Sequence, residues 1–300
     1  MALKLPELPD VERLSPLVLR IMGGNPSKFT LQGRLKSSRS PTRQPLLNYL
    51  PGTNTYIVGT GPKRLLIDTG EGNKIWPRNL KRALADEGVT IDKVILTHWH
   101  PDHVGGVPDV RTIASGVTVY KSQIKPDVDQ EDILEGQVFK TEGATLRAFH
   151  SPGHTVDHMA LILEEEDAMF TGDNVLGHGT AVFEDLATYL QSLERMEGAF
   201  NGRAYPAHGA VIEDGKAKVR EYIEHRRERE EQILGALTEQ GGDGVSSMGI
   251  VKVVYKNYPE PLHVPAEGGV VQVLKKLEGE GRVEQVGKGW QVRQGQKSAL

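Results

Sequence analysis

Short apolar runs bounded by turn-forming residues recur along the first two thirds of the chain. The run from Leu17 to Met22 suits a strand, and T-N-T-Y-I-V-G and R-L-L-I-D-T-G, joined through G-T-G-P, predict a hairpin. A helical pattern covers 76–89, and a strand follows from Asp92 to Leu96. Further strands are expected at Val117–Tyr120, Thr145–His150, Ala160–Leu163 and Ala168–Thr171, with a helix across Asp185–Arg195. Hairpins with interspersed helices predict sheets covered by helices, an α/β layered architecture.

The pattern changes after residue 215. Residues 216–235 form a highly charged helix with both signs intermixed, a solvated linker helix. Apolar segments at 246–256 and 268–281 then precede a hairpin-like stretch at 282–293. Helix, helix and two strands describe a small winged-helix-like module. Its alternating acidic and basic residues favour packing against the core or a partner over nucleic-acid binding. The expected domains are therefore 1–215, carrying the chemistry, and 216–300, the linker helix and winged-helix-like module.

The predicted strands end in ligand-type side chains. The stretch Ile95–Gly106, I-L-T-H-W-H-P-D-H-V-G-G, places His98, His100, Asp102 and His103 directly after an apolar run. Imidazole and carboxylate are zinc ligands, and a catalytic site keeps a coordination position open. On extended backbone, alternate residues share a side, so His98 and His100 point together. The turn starting at Pro101 lets Asp102 and His103 face a second ion. Ser151-Pro152-Gly153-His154, Phe170-Thr171-Gly172-Asp173 and Tyr205-Pro206-Ala207-His208 repeat the device of strand, tight turn and ligand. One such histidine alone is more often structural, whereas the recurrence in this order points to a dinuclear centre.

Composition narrows the class. The 300 residues are 38% hydrophobic, with a net charge of -4 and no cysteine, which describes a soluble globular chain without disulfides or Cys-ligated zinc. The weak negative charge gives no general reason to expect nucleic-acid binding. No apolar run is long enough to span a bilayer, and the N-terminus is unlike an export signal, so a cytoplasmic location and no membrane partner are expected. Between Arg34 and Pro51 the chain turns basic and rich in serine and proline, with Arg34, Lys36, Arg39 and Arg43 as its charges, of which the last three offer an electrostatic handle for an acidic partner as the less favoured reading. It reads as a loosely attached insertion.

The T-H-W-H-P-D-H motif, with P-G-H-T, G-D and the late P-x-H-G, resembles the metallo-β-lactamase superfamily over residues 53–210. The resemblance implies an αβ/βα sandwich with two Zn2+ ions at one edge. It assigns His98, His100 and His154 to the first metal and Asp102, His103 and His208 to the second, with Asp173 bridging. Asp68, in the early I-D-T-G, would orient ligands without binding metal. Two dications lower the pKa of a bridging water, and Asp102 is the expected catalytic residue that orients it or relays its proton. His178, in L-G-H-G-T, is a candidate substrate contact or proton donor.

The fold name leaves the substrate open. The short interval from Asp173 to His208 leaves no room for a large inserted RNA-processing cap, and the C-terminal part is unlike the glutathione-binding helices of glyoxalase II. The module at the end, together with G-G-N-P-S-K-F-T-L-Q-G, T-N-T-Y-I-V-G-T-G-P and G-T-A-V-F-E-D-L, resembles the β-lactamase-like protein 2 group nearly end to end. Animal members of that group are single-strand-specific endoribonucleases. Fungal members are thioesterases that release an aromatic polyketide chain from the acyl carrier protein domain of a non-reducing polyketide synthase, in secondary metabolism. The N-terminal segment and the G-D-N-V-L-G-H-G-T loop are closer to the fungal set. The thioesterase is the favoured reading, with single-stranded RNA as the alternative substrate. In related chains T-L-Q-G runs straight into T-N-T-Y, whereas here 34–51 intervenes, which reads as an unspliced or misannotated segment near the active-site edge.

Overall fold

A computed structural model of the chain describes residues 8–25, 52–122, 129–240 and 244–293. The inserted segment 34–51, with its four basic residues, lies outside the described residues.

One sheet takes its strands in chain order: β1 (Val11–Arg13), β2 (Val18–Met22), β3 (Asn54–Val58), β4 (Lys63–Ile67), β5 (Thr90–Ile95) and β6 (Thr118–Tyr120). The first four are antiparallel, while β4, β5 and β6 run parallel. Parallel neighbours need a crossover. Helix α1 (Ile75–Glu87) supplies it between β4 and β5, and α2 (Pro101–Val104) with α3 (Val107–Ile113) between β5 and β6. The second sheet has the order β11-β10-β9-β8-β7. It is built from β7 (Val138–Thr141), β8 (Ala144–His150), β9 (Met159–Leu163), β10 (Ala168–Gly172) and β11 (Ala204–Pro206), with α4 (Leu186–Glu197) crossing between β10 and β11. That last pair is parallel and the others antiparallel.

Strand alternation sorts the side chains into layers. Leu65 and Ile67 enter the core between the sheets with Val18, Tyr56 and Phe170. Leu66 turns the other way and packs with Trp76 and Leu80 of α1. Across the molecule, Ile162 and Met169 meet Tyr189 and Leu193 of α4. The result is the expected αβ/βα sandwich.

The C-terminal part follows as α5 (Gly215–Gln240), α6 (Ser247–Val254), α7 (His263–Gly279), β12 (Val283–Val286) and β13 (Gly289–Val292). This is the expected order of helix, helix and hairpin. Helix α7 starts at His263, before the apolar segment expected from 268. Pro265 falls in the first turn, where no intrahelical N–H is required, so it is tolerated. Ile233 and Leu237 of α5, Ile250 of α6, Leu274 of α7 and Trp290 of β13 share one buried cluster with α4. Within that contact Glu230 pairs with Lys276 at 2.9 Å. Burial opposes the charge on Lys276, but its bonds to Glu280 and Glu230 outweigh this and hold its pKa above the usual lysine value.

Candidate metal centre

Every expected ligand sits just beyond a strand or at the start of a short helix, and the sheet ends bring them together. His98 and His100 follow β5, Asp102 and His103 lie in α2, His154 follows β8, Asp173 follows β10 and His208 follows β11. Two turns need glycine to do this. A Cβ on Gly172, at φ +52°, would stand 2.4 Å from the His158 ring, and one on Gly153, at φ +129°, 2.3 Å from the Tyr189 Cα. Those turns therefore present Asp173 and His154 only because the preceding residue has no side chain.

The donors form two groups, His98, His100, His154 and Asp173 in one and Asp102, His103 and His208 in the other, each with its donor atoms within 4.8 Å of one another. In the first, His98 Nε2 lies 2.9 Å from His100 Nδ1, and His154 Nε2 lies 3.2 and 3.1 Å from these two nitrogens. In the second, His208 Nε2 is 3.4 Å and His103 Nε2 3.6 Å from Asp102 Oδ2. Asp173 faces both. Its Oδ2 is 3.5 Å from His154 Nε2, and its Oδ1 is 3.2 Å from His208 Nε2 and 3.6 Å from His103 Nε2.

These residues fit metal ions. The Nδ1 of His154 lies 2.8 Å from the Val182 carbonyl, which only accepts, so the proton sits on Nδ1 and Nε2 turns a lone pair inward. The Nδ1 of His103 likewise meets Asp68 Oδ2 at 2.8 Å. That leaves His103 Nε2 and Asp173 Oδ1 buried without a hydrogen-bond partner. Converging lone pairs of this kind are what a cation satisfies.

The electrostatics agree. Burial, reinforced by His103 and His154, holds His98 well below the usual histidine value, and burial with His154 lowers His100 to about 4. Both are neutral, as a ligand must be. For His103 burial opposes charge, but Asp102, Asp68 and Asp173 outweigh it and hold the pKa well above the usual value. Burial also opposes ionisation of Asp173, yet His208 and His103 hold it well below the usual carboxylate range. Asp173, facing both groups, thus keeps the negative charge that draws a cation, and a cation that binds His103 displaces the proton its carboxylate neighbours hold there.

Asp68 lies off the cluster and behind His103. Its Oδ1 accepts from the Thr97 amide at 2.8 Å and its Oδ2 from the Thr97 hydroxyl at 2.9 Å. His178 lies in the wall of the cavity above the ligands, with its Nδ1 buried and unpartnered. Burial and the neighbouring His208 lower its pKa to about 4. The cavity is about 480 Å³, and Pro101, Leu176, Ala181 and Val182 give it an apolar side.

Several contributors escaped sequence reasoning. Thr53 donates through Oγ1 to Asp102 Oδ2 at 3.0 Å, and Asn25 donates to that same hydroxyl at 3.1 Å. His158 is fully buried, accepts from the Asp173 amide at 3.1 Å and bonds Ser151 Oγ at 2.9 Å. The buried pair Lys121 and Asp157, 2.7 Å apart, braces the segment between the two histidines through Thr155. The second histidine of P-G-H-T-V-D-H was the one visible signal for this layer.

Comparison with known proteins agrees with the geometry. Residues 49–208 match the family described as Metallo-beta-lactamase superfamily, and 246–290 match the Beta-lactamase associated winged helix domain. A protein of Aspergillus chevalieri named "Atrochrysone carboxyl ACP thioesterase" is 44% identical over 288 residues, 93% of this chain and 87% of its own length. The Passalora fulva protein of the same name is 43% identical, covering 98% of this chain and 84% of its own. "Lactamase-like protein ptaB" of Pestalotiopsis fici is also 43% identical, over 98% and 88%. Among solved structures, a Beta-lactamase domain protein from Burkholderia ambifaria superposes with a TM-score of 0.75 at 17% identity, over 97% of this chain and 96% of its own. With the ligand edge, the two-sheet core and the C-terminal module all accounted for, the chain belongs to the metallo-beta-lactamase superfamily.

Proposed function

We propose that the chain is a dinuclear zinc hydrolase, a thioesterase that releases an aromatic polyketide chain from the acyl carrier protein domain of a non-reducing polyketide synthase. It would act in the cytoplasm, in secondary metabolite biosynthesis. Residues 1–215 carry the site and 216–300 the linker helix and winged-helix domain. The observation that carries the substrate reading is the cavity itself. Its side formed by Leu176, Ala181 and Val182 is apolar, and among the described residues none of those lining it is lysine or arginine. A flat acyl chain suits such a wall, whereas RNA binding relies on a basic surface that tracks phosphates. The relatives named thioesterases, similar over nearly the whole chain, support the same reading.

His98, His100 and His154 would hold one zinc, Asp102, His103 and His208 the other, with Asp173 between them and Asp68 orienting His103. Bound zinc supplies an activated water and a Lewis acid for the acyl carbonyl. In the net reaction the water oxygen bonds to the carbonyl carbon, the carbon–sulfur bond breaks, and the carrier's thiol leaves with a proton. Asp102 remains one-quarter exposed toward the cavity while Thr53 fixes its Oδ2, which suits it to orient the water or pass its proton on. His178 is neutral at physiological pH, so its ring can hydrogen-bond the substrate without adding charge.

A paired assay on zinc-loaded protein tests this, offering a carrier protein loaded with an aromatic polyketide chain beside single-stranded RNA. Acyl release that depends on zinc, is lost in Asp102→Ala and leaves RNA intact is the expected result. RNA cleavage lost in Asp102→Ala, with the thioester untouched, would replace the reading with a nuclease.

A further inference from the structure

The wall of the cavity is one loop, and it is held from behind by a helix that belongs to the other end of the chain. The loop leaves the sheet immediately after Asp173 and returns at α4. Along the way it touches two more of the ligand segments. The Gly177 amide donates to the His208 carbonyl at 2.8 Å, and the Val182 carbonyl accepts from His154 Nδ1 at 2.8 Å. Leu176, His178, Ala181 and Val182 face the cavity.

Two residues one turn apart on α5 grip the back of this loop. The Tyr222 hydroxyl accepts from the Leu176 amide at 3.1 Å and donates to the Gly179 carbonyl at 3.0 Å. Arg226 donates through Nη2 to the Ala181 carbonyl at 2.7 Å. Its guanidinium also lies 4.8 Å from the Phe183 ring centroid and 5.9 Å from that of Tyr189, two rings that stack on each other. The Leu176 amide before His178 and the Gly179 and Ala181 carbonyls after it are therefore tied to the helix, and the next carbonyl along, at Val182, meets His154. None of these contacts reaches the ligand atoms directly.

We propose that Arg226 and Tyr222 are positioning residues: from α5 they set the loop that forms the acyl-facing wall of the cavity and, through Val182, the orientation of His154. The effect on substrate rests on the reading of this cavity as the thioester site, whereas the effect on His154 does not. A planar guanidinium can bond the carbonyl edge-on while stacking on aromatic rings, and an ammonium cannot do both. Arg226→Lys therefore counts as a loss rather than a conservative change. Partners that orient a ligating histidine are worth about 10–100-fold in metal affinity.

The test uses the full chain and compares wild type with Arg226→Ala, Arg226→Lys and Tyr222→Phe. Zinc affinity is read by competition with a chromophoric chelator. At saturating zinc, KM and kcat are read for an aromatic acyl thioester and for an acetyl thioester. We expect zinc affinity to fall about tenfold in all three variants. The KM for the aromatic substrate should rise several-fold more than that for acetyl, which is too short to reach the wall. Tyr222→Phe removes one oxygen and so decides the matter if Arg226→Ala does not fold. Wild-type zinc affinity and an unchanged ratio of the two KM values in Tyr222→Phe, with only a lowered melting temperature, would overturn the proposal, as would full recovery by Arg226→Lys. If wild type hydrolyses neither thioester, the thioesterase reading fails while the zinc titration still decides the role of these residues.

Discussion

At the scale of the residue, the centre depends on groups that fix which nitrogen each histidine presents. Asp68 is the clearest of these, because its Oδ2 takes the Nδ1 side of His103 and leaves Nε2 for the cluster. Asp68→Ala should weaken zinc binding about 10–100-fold with the fold retained, measured by chelator competition beside circular dichroism. Asp68→Asn should recover part of that, since its amide oxygen still accepts. His178 gives a pH-dependent prediction. Its folded pKa of about 4 lies below the ordinary histidine value, so the unfolded chain binds the extra proton first as pH falls. Its contribution to stability is intact above about 6.5, is lost on acidification from there to about 4, and is level below that. In zinc-free protein, His178→Gln should flatten that part of the melting-temperature profile relative to wild type. The seven residues of the cluster were legible because they follow a strand directly, through a tight turn or in the short helix α2, a local signature. Thr53 and Asn25 were not, since nothing near them in sequence marks a partner as distant as Asp102.

At the scale of the element, legibility followed length and burial. The inner strands β3, β4, β9 and β10 are buried at most or all positions and showed as apolar runs. Strand β7 buries only Phe139 of its four residues, and β1 and β11 have three residues each, too few to show alternation. Helix α2, with four residues, is too short for a helical period, so the turn expected at Pro101 is in fact a helix start with proline in its first turn. A tight fit between elements is the turn before His154, where α4 runs against Gly153. The amides of Glu184 and Asp185, which open that helix, donate to the Gly153 carbonyl at 2.7 and 3.1 Å. Gly153→Ala would combine a left-handed backbone with a collision against the Tyr189 main chain. Strain of that kind costs about 1–3 kcal/mol before any clash is relieved. Chemical denaturation should show at least that loss, and zinc affinity should fall with it because His154 is the next residue.

At the scale of the whole molecule, the winged-helix domain was legible as a sequence of elements, but its burial against α4 and α5 was not. The charged face of α5 reads as a solvated linker, and only the fold reveals that Ile233, Ala236 and Leu237 on its other face enter the core shared with α4. Among the described residues no helix is long and apolar enough to cross a membrane. The connection between β2 and β3 belongs to this scale because it touches both the sheet and the cavity. Met22 pairs with Asn54, Gly23 donates to the Thr53 carbonyl at 2.7 Å, and Asn25 bonds Thr53 through both side-chain atoms. The chain is thus sealed on either side of residues 26–51, and the sheet does not require them. Deleting 34–51 shortens the closed loop about threefold, which favours the folded state by about 1 kcal/mol through loop entropy alone. The shortened protein should melt no lower than the full chain in a calorimeter, and a clear drop would show that the segment contributes contacts. The seal also has a genetic meaning. An in-frame stretch gained or lost between the codons for Asn25 and Thr53 falls inside this seal, so the pairing of β2 with β3 is kept in register on either side of it.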